Sequence, residues 1–141
     1  TGETIITIDP ITARDFDAVV YLSDEAPAAR RQAIEATGRP VHMLPVLGPL
    51  DAMLKHMRHD LGSSVVLVEG GPSLNAGLFG LDVIDEYFVT IGPVVVGGWD
   101  TPTPVGGAKA FARNELRRFD LVWAIPNDAT GELYCRYRAR R

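Results

Sequence analysis

The run Val65-Val66-Leu67-Val68-Glu69-Gly70-Gly71-Pro72-Ser73-Leu74-Asn75 constrains this chain more than any other segment. Ser64 and four successive apolar residues, stopped just beyond by glycines, predict a strand over 64–68 that is buried on both faces and so belongs inside a helix-covered sheet. Pro72 presets a first helical turn, so 72–79 is expected to be a short helix and the whole a strand–turn–helix unit. Glycines at such a turn let an anion approach the backbone, and the free N–H groups of the first helical turn point at it. Pro72 removes one donor and Ser73 adds a hydroxyl. The pattern also serves as a plain tight turn, and it is neither a G-x-G-x-x-G fingerprint nor a Walker loop, so both readings stay open on this segment alone. Glu69 stands at the C-terminal end of the expected strand, where ligands bind in open α/β sheets; a salt bridge or a cap is its alternative role.

The flanking sequence supports the same class. Residues 3–9 are rich in β-branched side chains and stop at Pro10, and 17–22 is a short apolar run; both predict strands. Ser23 and Asp24 offer cap chemistry for a helix over 26–37, with Pro27 in its first turn and Gly38 past its end. A short strand is expected over 40–45. Leu50, Met53, Leu54, Met57 and Leu61 then recur at helical spacing, and Gly62 stops that helix. After Asp82 the character changes to strands over 86–97, 119–125 and 133–139, with Asp128-Ala129-Thr130-Gly131 as the loop of a hairpin. In the last strand Leu133, Cys135, Tyr137 and Ala139 share the core face, and Tyr134, Arg136, Arg138 and Arg140 the wet one. Alternating β and α followed by antiparallel strands predicts one domain over 1–141, an α/β sandwich around a mixed sheet.

Bulk properties narrow the partners. At 141 residues, with 46% hydrophobic and 23% charged, the chain has the makings of a single ordinary core. Fourteen Lys and Arg against 18 Asp and Glu, a net charge of −4, argue against a nucleic-acid footprint and for a small-molecule ligand. Cys135 stands alone, which excludes an internal disulfide and favours a reducing, cytoplasmic setting, with the thiol as a small core group. No apolar run approaches the roughly 18 residues of a membrane span. The sequence opens Thr1-Gly2-Glu3 without a methionine, so something is expected to have been removed. Either the start was trimmed artificially, or a cleavage leaves Thr1 as an N-terminal nucleophile with its own α-amino group as base, the mark of a hydrolase.

Other candidates are weaker. Gly92-Pro93-Val94-Val95-Val96-Gly97-Gly98 combines a strand proline, which implies an edge or bulge, with paired glycines that permit close backbone approach. The loop 99–110 reads as a flap over a pocket or a surface excursion, the flap being favoured. His56 and His59 lack the further ligands a metal needs and are read as surface histidines, with His42 as strand decoration; no metal is expected. The alternating arginines of 136–141 read as a solvated face. Ser23, with Arg30 and Arg31 just beyond it, can hold an adenosine 2′-phosphate.

Val-Leu-Val-Glu-Gly-Gly-Pro-Ser-Leu-Asn over 66–75 and Val-Ile-Asp-Glu-Tyr-Phe-Val-Thr-Ile-Gly-Pro-Val-Val-Val-Gly-Gly over 83–98 resemble the C-terminal reductase domain of the bifunctional riboflavin-biosynthesis deaminase/reductase and its relatives. Residues 119–123 and 134–137 are similar to that family's final hairpin. The resemblance implies a dihydrofolate-reductase-like three-layer sandwich, a mixed sheet with a C-terminal antiparallel hairpin, and NADPH-dependent reduction of a ribosylamino-pyrimidine phosphate or related heterocycle. It implies further that Gly70, Gly71, Pro72 and Ser73 line the cofactor's phosphates, that Glu69 faces the nicotinamide or substrate, and that Gly97 and Gly98 border the cofactor. The family's opening strand and Ser-Leu-Asp-Gly segment have no counterpart here, so the chain is expected to be the later two-thirds of the fold, either completed by an N-terminal fragment in a second chain or carrying a rearranged site; a homodimer or co-assembly with that fragment is expected.

Overall fold

The structure, a computed structural model, describes residues 17–98, 100–108 and 110–141. The expected strand over 3–9 lies outside them. Backbone contacts divide the chain into two compact units, one ending at Val66 and the other running from Leu67 to Arg141.

In the first unit β1 (Val20–Ser23) pairs in parallel with β2 (Val41–Leu44), in the register Val20 to Val41 and Leu22 to Met43. A parallel pair needs a crossover, and α1 (Ala28–Glu35) supplies it. Ile34 packs with Val20 and Leu22, with Ala26, Val41 and Met43 around them. Leu22 is only 2% exposed and anchors this core. The helix starts later than its sequence suggests: Pro27 is the N-cap, not a first-turn residue. Ser23 does not cap it, because its hydroxyl accepts the Glu25 N–H (3.2 Å) and its carbonyl the Ala26 N–H, a local turn that competes for the same groups. Next comes α2 (Pro49–His59), with Asp51 in its first turn and His56, Arg58 and His59 in its last, as the helix dipole favours. Left-handed Gly62 and the Ser63 N–H to Met57 carbonyl bond close it.

The second unit places α3 (Pro72–Gly80) before the antiparallel sheet β3–β5–β4, with β3 Glu86–Ile91, β4 Phe119–Asn127 and β5 Glu132–Ala139. The β4–β5 hairpin turns at Gly131, whose φ of 73° requires glycine. Cys135 is buried on the core face, as the alternation predicts. Phe79 of α3 meets Tyr87 and Phe119 edge-on, at ring separations of 5.5 and 5.8 Å. A β-bulge at Val122 lets Leu121 face Tyr137 and Trp123 face Arg136, which sends Trp123 to the outer face beside Phe88. Pro126 is tolerated because β4 is an edge strand.

Two expected strands differ. Residues 64–68 form no strand: among the described residues they have no ladder partner, and Val65 is 85% exposed. A buried parallel strand exists only with neighbours on its edges, and local hydrophobicity cannot supply them. The strand from Glu86 ends at Ile91 instead of Gly97, because its partner β5 begins at Glu132 and turns away at Gly131. Pro93 sits over that turn and has no N–H to extend the ladder.

Candidate functional site

The glycine turn belongs to the second unit. Gly71 is the N-cap of α3 in extended conformation (φ −72°, ψ 176°), and its carbonyl accepts the Asn75 N–H at 3.1 Å. Pro72 carries no N–H, which leaves the amides of Ser73 and Leu74 as first-turn donors without a helical acceptor. The Ser73 side chain is exposed and makes no hydrogen bond among the described residues. The two glycines differ in their reason for being glycine. A Cβ on Gly70 would press on the Leu74 side chain, which would have to shift to admit a larger residue there. A Cβ on Gly71 would meet nothing within 4 Å, and its φ suits any residue, so the protein's own packing does not demand a glycine. Glu69 is exposed and forms neither the salt bridge nor the cap that were its alternatives, among the described residues. The strand expected to present it is absent.

The second glycine pair lies where the chain leaves the β3 segment. Gly97 and Gly98 have φ of 69° and 94°, a left-handed backbone that β-carbon-bearing residues resist. The Thr101 hydroxyl donates to the carbonyls of both, the Gly98 bond being 3.3 Å. The loop then returns to α3: the Gly106 N–H donates to the Pro72 carbonyl at 3.0 Å, and Asn75 Nδ2 donates to the Pro104 carbonyl at 2.8 Å. One loop therefore ties the two glycine motifs together. Five residues lie between Gly98 and Pro104, six steps along the chain, which bounds their distance at about 20 Å. Sequence reasoning quoted Asn75 as part of a motif but gave it no role, since its partner is 29 residues away.

In the first unit Ser23 is spent on its local turn, as described. Arg31 pairs with Glu35 at 2.8 Å, whereas Arg30 makes no side-chain bond among the described residues. His59 is exposed as read, but His56 and His42 depart from expectation. His56 is half-buried: Tyr21 Oη and His56 Nδ1 are hydrogen-bonded at 2.8 Å, and its ring stacks on His42 at 3.7 Å. Parallel register sets Tyr21 opposite His42, which brings together residues far apart in sequence. Burial, and secondarily the Asp60 charge, push the Tyr21 hydroxyl pKa up. Among the described residues no group of three or more His, Cys, Asp or Glu is arranged to hold a metal ion.

A cavity of about 210 Å³ lies near the other end of α3, lined by Asp82, Arg117, Arg118, Phe119 and Arg140 among others. It has a structural explanation, for Arg117 caps α3 through the Phe79 and Gly80 carbonyls at 2.8 and 3.0 Å. Thr1, the nucleophile of the hydrolase alternative, lies outside the described residues. No helix among them is long and apolar enough to cross a membrane.

Solved structures share this fold. A pyrimidine reductase-like protein from Corynebacterium diphtheriae superposes with a TM-score of 0.75 at 22% identity, over 87% of this chain and 50% of that one. RibD from Acinetobacter baumannii gives 0.63 at 21% identity, over 78% and 29%. The class is thus an α/β protein of dihydrofolate-reductase-like fold. Within it, the chain belongs to the RibD C-terminal domain family, which it matches over residues 8–129. Similar proteins include the 2,5-diamino-6-ribosylamino-4(3H)-pyrimidinone 5′-phosphate reductases of Archaeoglobus fulgidus, 25% identical over 80% of this chain and 53% of the relative, and Aquifex aeolicus, 28% identical over 76% and 48%. The chain spans about half the length of these relatives.

Proposed function

We propose that this chain is the part of an NADPH-dependent reductase that holds the cofactor's phosphates, acting on a ribosylamino-pyrimidine phosphate or a related small heterocycle. The observation that carries the reading is Gly71: a glycine whose Cβ position is open, at a helix start where the Ser73 and Leu74 amides have no acceptor among the described residues. That is the cradle a phosphate needs, because a backbone without a β-carbon can be approached closely while the helix dipole favours negative charge. Membership of the RibD C-terminal domain family and the reductase names of the relatives supply the reaction class.

NADPH, when bound, supplies the hydride. The chain's own residues bind and orient. Ser73 adds a hydroxyl donor beside the two amides. Glu69, exposed and without a partner among the described residues, accepts hydrogen bonds from the ribose or amino groups of substrate or cofactor. In the first unit, Arg30, which has no side-chain partner among the described residues, is suited to an extra phosphate.

Calorimetric titration with NADPH tests the reading. Gly71→Val fills the open space without straining the backbone, so the melting temperature should stay within about 2 °C while affinity falls about tenfold or more. Absence of NADPH binding by the wild-type chain, or equal binding by Gly71→Val, would refute it.

A further inference from the structure

The register of the β3–β5–β4 sheet lays out its outer face as rows across the strands. They read Glu86, Arg138 and Asp120; Phe88, Arg136 and Trp123; Thr90, Tyr134 and Ile125; and, past the end of β3, Glu132 and Asn127. The two central rows are aromatic and aliphatic around one guanidinium. Phe88 is 56% and Ile125 52% exposed, the Phe88 and Trp123 rings meet edge-on at 6.2 Å, and Arg136 lies over Phe88. Neighbouring groups hold these side chains in place. Glu86 accepts Arg136 at 2.7 Å, and the Tyr134 hydroxyl accepts Asn127 Nδ2 at 3.0 Å and donates to Glu132 at 2.9 Å. Aromatic residues and arginine, fixed in advance, are what the centres of protein interfaces favour.

The two ends of the face carry opposite charge. At one end Glu86 and Asp120 stand against Arg136, Arg138 and Arg140, an excess of one cation, and Arg138 shares a carboxylate that Arg136 already holds. At the other end Glu132 makes no ion pair among the described residues; its carboxylate accepts the Thr130 and Tyr134 hydroxyls. Arg138 and Glu132 lie on one strand with Cys135 midway, roughly 20 Å apart at the rise of an extended chain.

We propose that two copies of this chain associate through this face, sheet against sheet, about a two-fold axis that lies between them and crosses the strands at the level of Cys135. That axis reverses strand direction, so each row meets a different row of the second copy. Arg138 comes opposite Glu132 of the second copy, Arg136 opposite its Tyr134, Trp123 opposite its Ile125 and Asp120 opposite its Asn127, and every pairing occurs twice. Opposite charges meet at the ends, and apolar and cation–aromatic contacts fill the centre. An axis running along the strands would instead set Arg138 on Arg138 and Glu132 on Glu132, so charge selects the first. Face-to-face sheets cross at about 30°, which keeps these rows neighbours. Three strands and four rows span roughly 15 by 25 Å. That is well under the roughly 800 Å² per partner of a standard interface, so the pair is weak and reversible.

Sedimentation velocity of the chain reads the association, with monomer passing to dimer between about 1 and 300 μM. Ile125→Lys, which puts a charge opposite Trp123 of the second copy, should weaken the dimer on the order of tenfold or more. Arg138→Glu and Glu132→Lys should each weaken it roughly 3- to 10-fold by setting like charges against each other, and the two combined should return to within about twofold of wild type. Positions this far apart within one copy act additively, so rescue reports contact between copies and not a change in folding. Near-ultraviolet circular dichroism of each variant confirms that the aromatic packing is kept. A wild-type chain that stays monomeric to the top of the range overturns the proposal and leaves the face to a different partner. A dimer indifferent to Ile125→Lys overturns the face, and a charge swap that fails to rescue overturns the two-fold arrangement.

Discussion

Glu86 shows how one carboxylate organises the outer face of the sheet. It accepts Arg136 through Nε at 3.1 Å and Nη2 at 2.7 Å, and Arg138 Nη2 at 3.2 Å, while the Arg136 guanidinium lies 5.5 Å over the Phe88 ring. The alternating arginines expected to be a solvated face are thus individually paired: Arg140 with Asp120 and Arg141 with Asp85 as well. Hydrogen bonds from Arg136 hold the Glu86 carboxyl below the usual glutamate range, partial burial opposes them, and Arg138 adds to the lowering. A carboxyl depressed in the folded state stabilises the fold fully above its unfolded-state pKa and loses that contribution as pH falls through the folded-state value. Glu86→Gln should therefore lower the melting temperature at neutral pH and above, and the gap from wild type should close on acidification below the ordinary glutamate range. Thermal melts of both proteins across pH 2–8 check this, and a gap that widens towards acid would contradict the assignment. The same scale separates Gly70 from Gly71. Both read alike in the sequence, yet a Cβ on the first would press on the Leu74 side chain while a Cβ on the second would meet nothing within 4 Å.

Among the elements, α3 couples the glycine turn to the sheet through Phe79, which is buried against Tyr87 and Phe119. Phe79→Ala removes both ring contacts and should cost roughly 3–5 kcal/mol, read as a lower urea midpoint at unchanged slope, with Phe79→Leu recovering part of the loss. Elements were legible in the sequence wherever the signal is local. The three- and four-residue spacing of Leu50, Met53, Leu54 and Met57 gave α2, and strict alternation with a glycine turn gave the β4–β5 hairpin. Whatever depends on a distant partner was not legible. The failed strand over 64–68, the early end of β3 at Ile91, the bulge at Val122 and the stacking of His42 on His56 are all decided by which backbone lies alongside, and no window of sequence contains that information.

At the scale of the whole molecule, the segments left unpaired among the described residues determine what the surface presents. Leu67 is 78% and Val95 99% exposed, within runs of branched apolar residues at 65–68 and 94–96 that the described residues leave outside any ladder. Scattered single apolar side chains are ordinary on a surface, but two such runs of high β-propensity and low charge are the composition that attracts hydrophobic probes and other strands. The folded chain should therefore bind the dye anilinonaphthalene sulfonate at neutral pH while its near-ultraviolet circular dichroism still reports fixed aromatic packing, which distinguishes native exposure from a loosened core. Leu67→Lys combined with Val95→Lys should reduce the dye emission severalfold and raise the protein concentration tolerated before light scattering increases. Because neither side chain is packed, the double variant should melt within about 2 °C of wild type. A wild-type protein that binds no dye would mean that these side chains are covered in solution, and a large loss of stability in the variant would mean that they belong to a core.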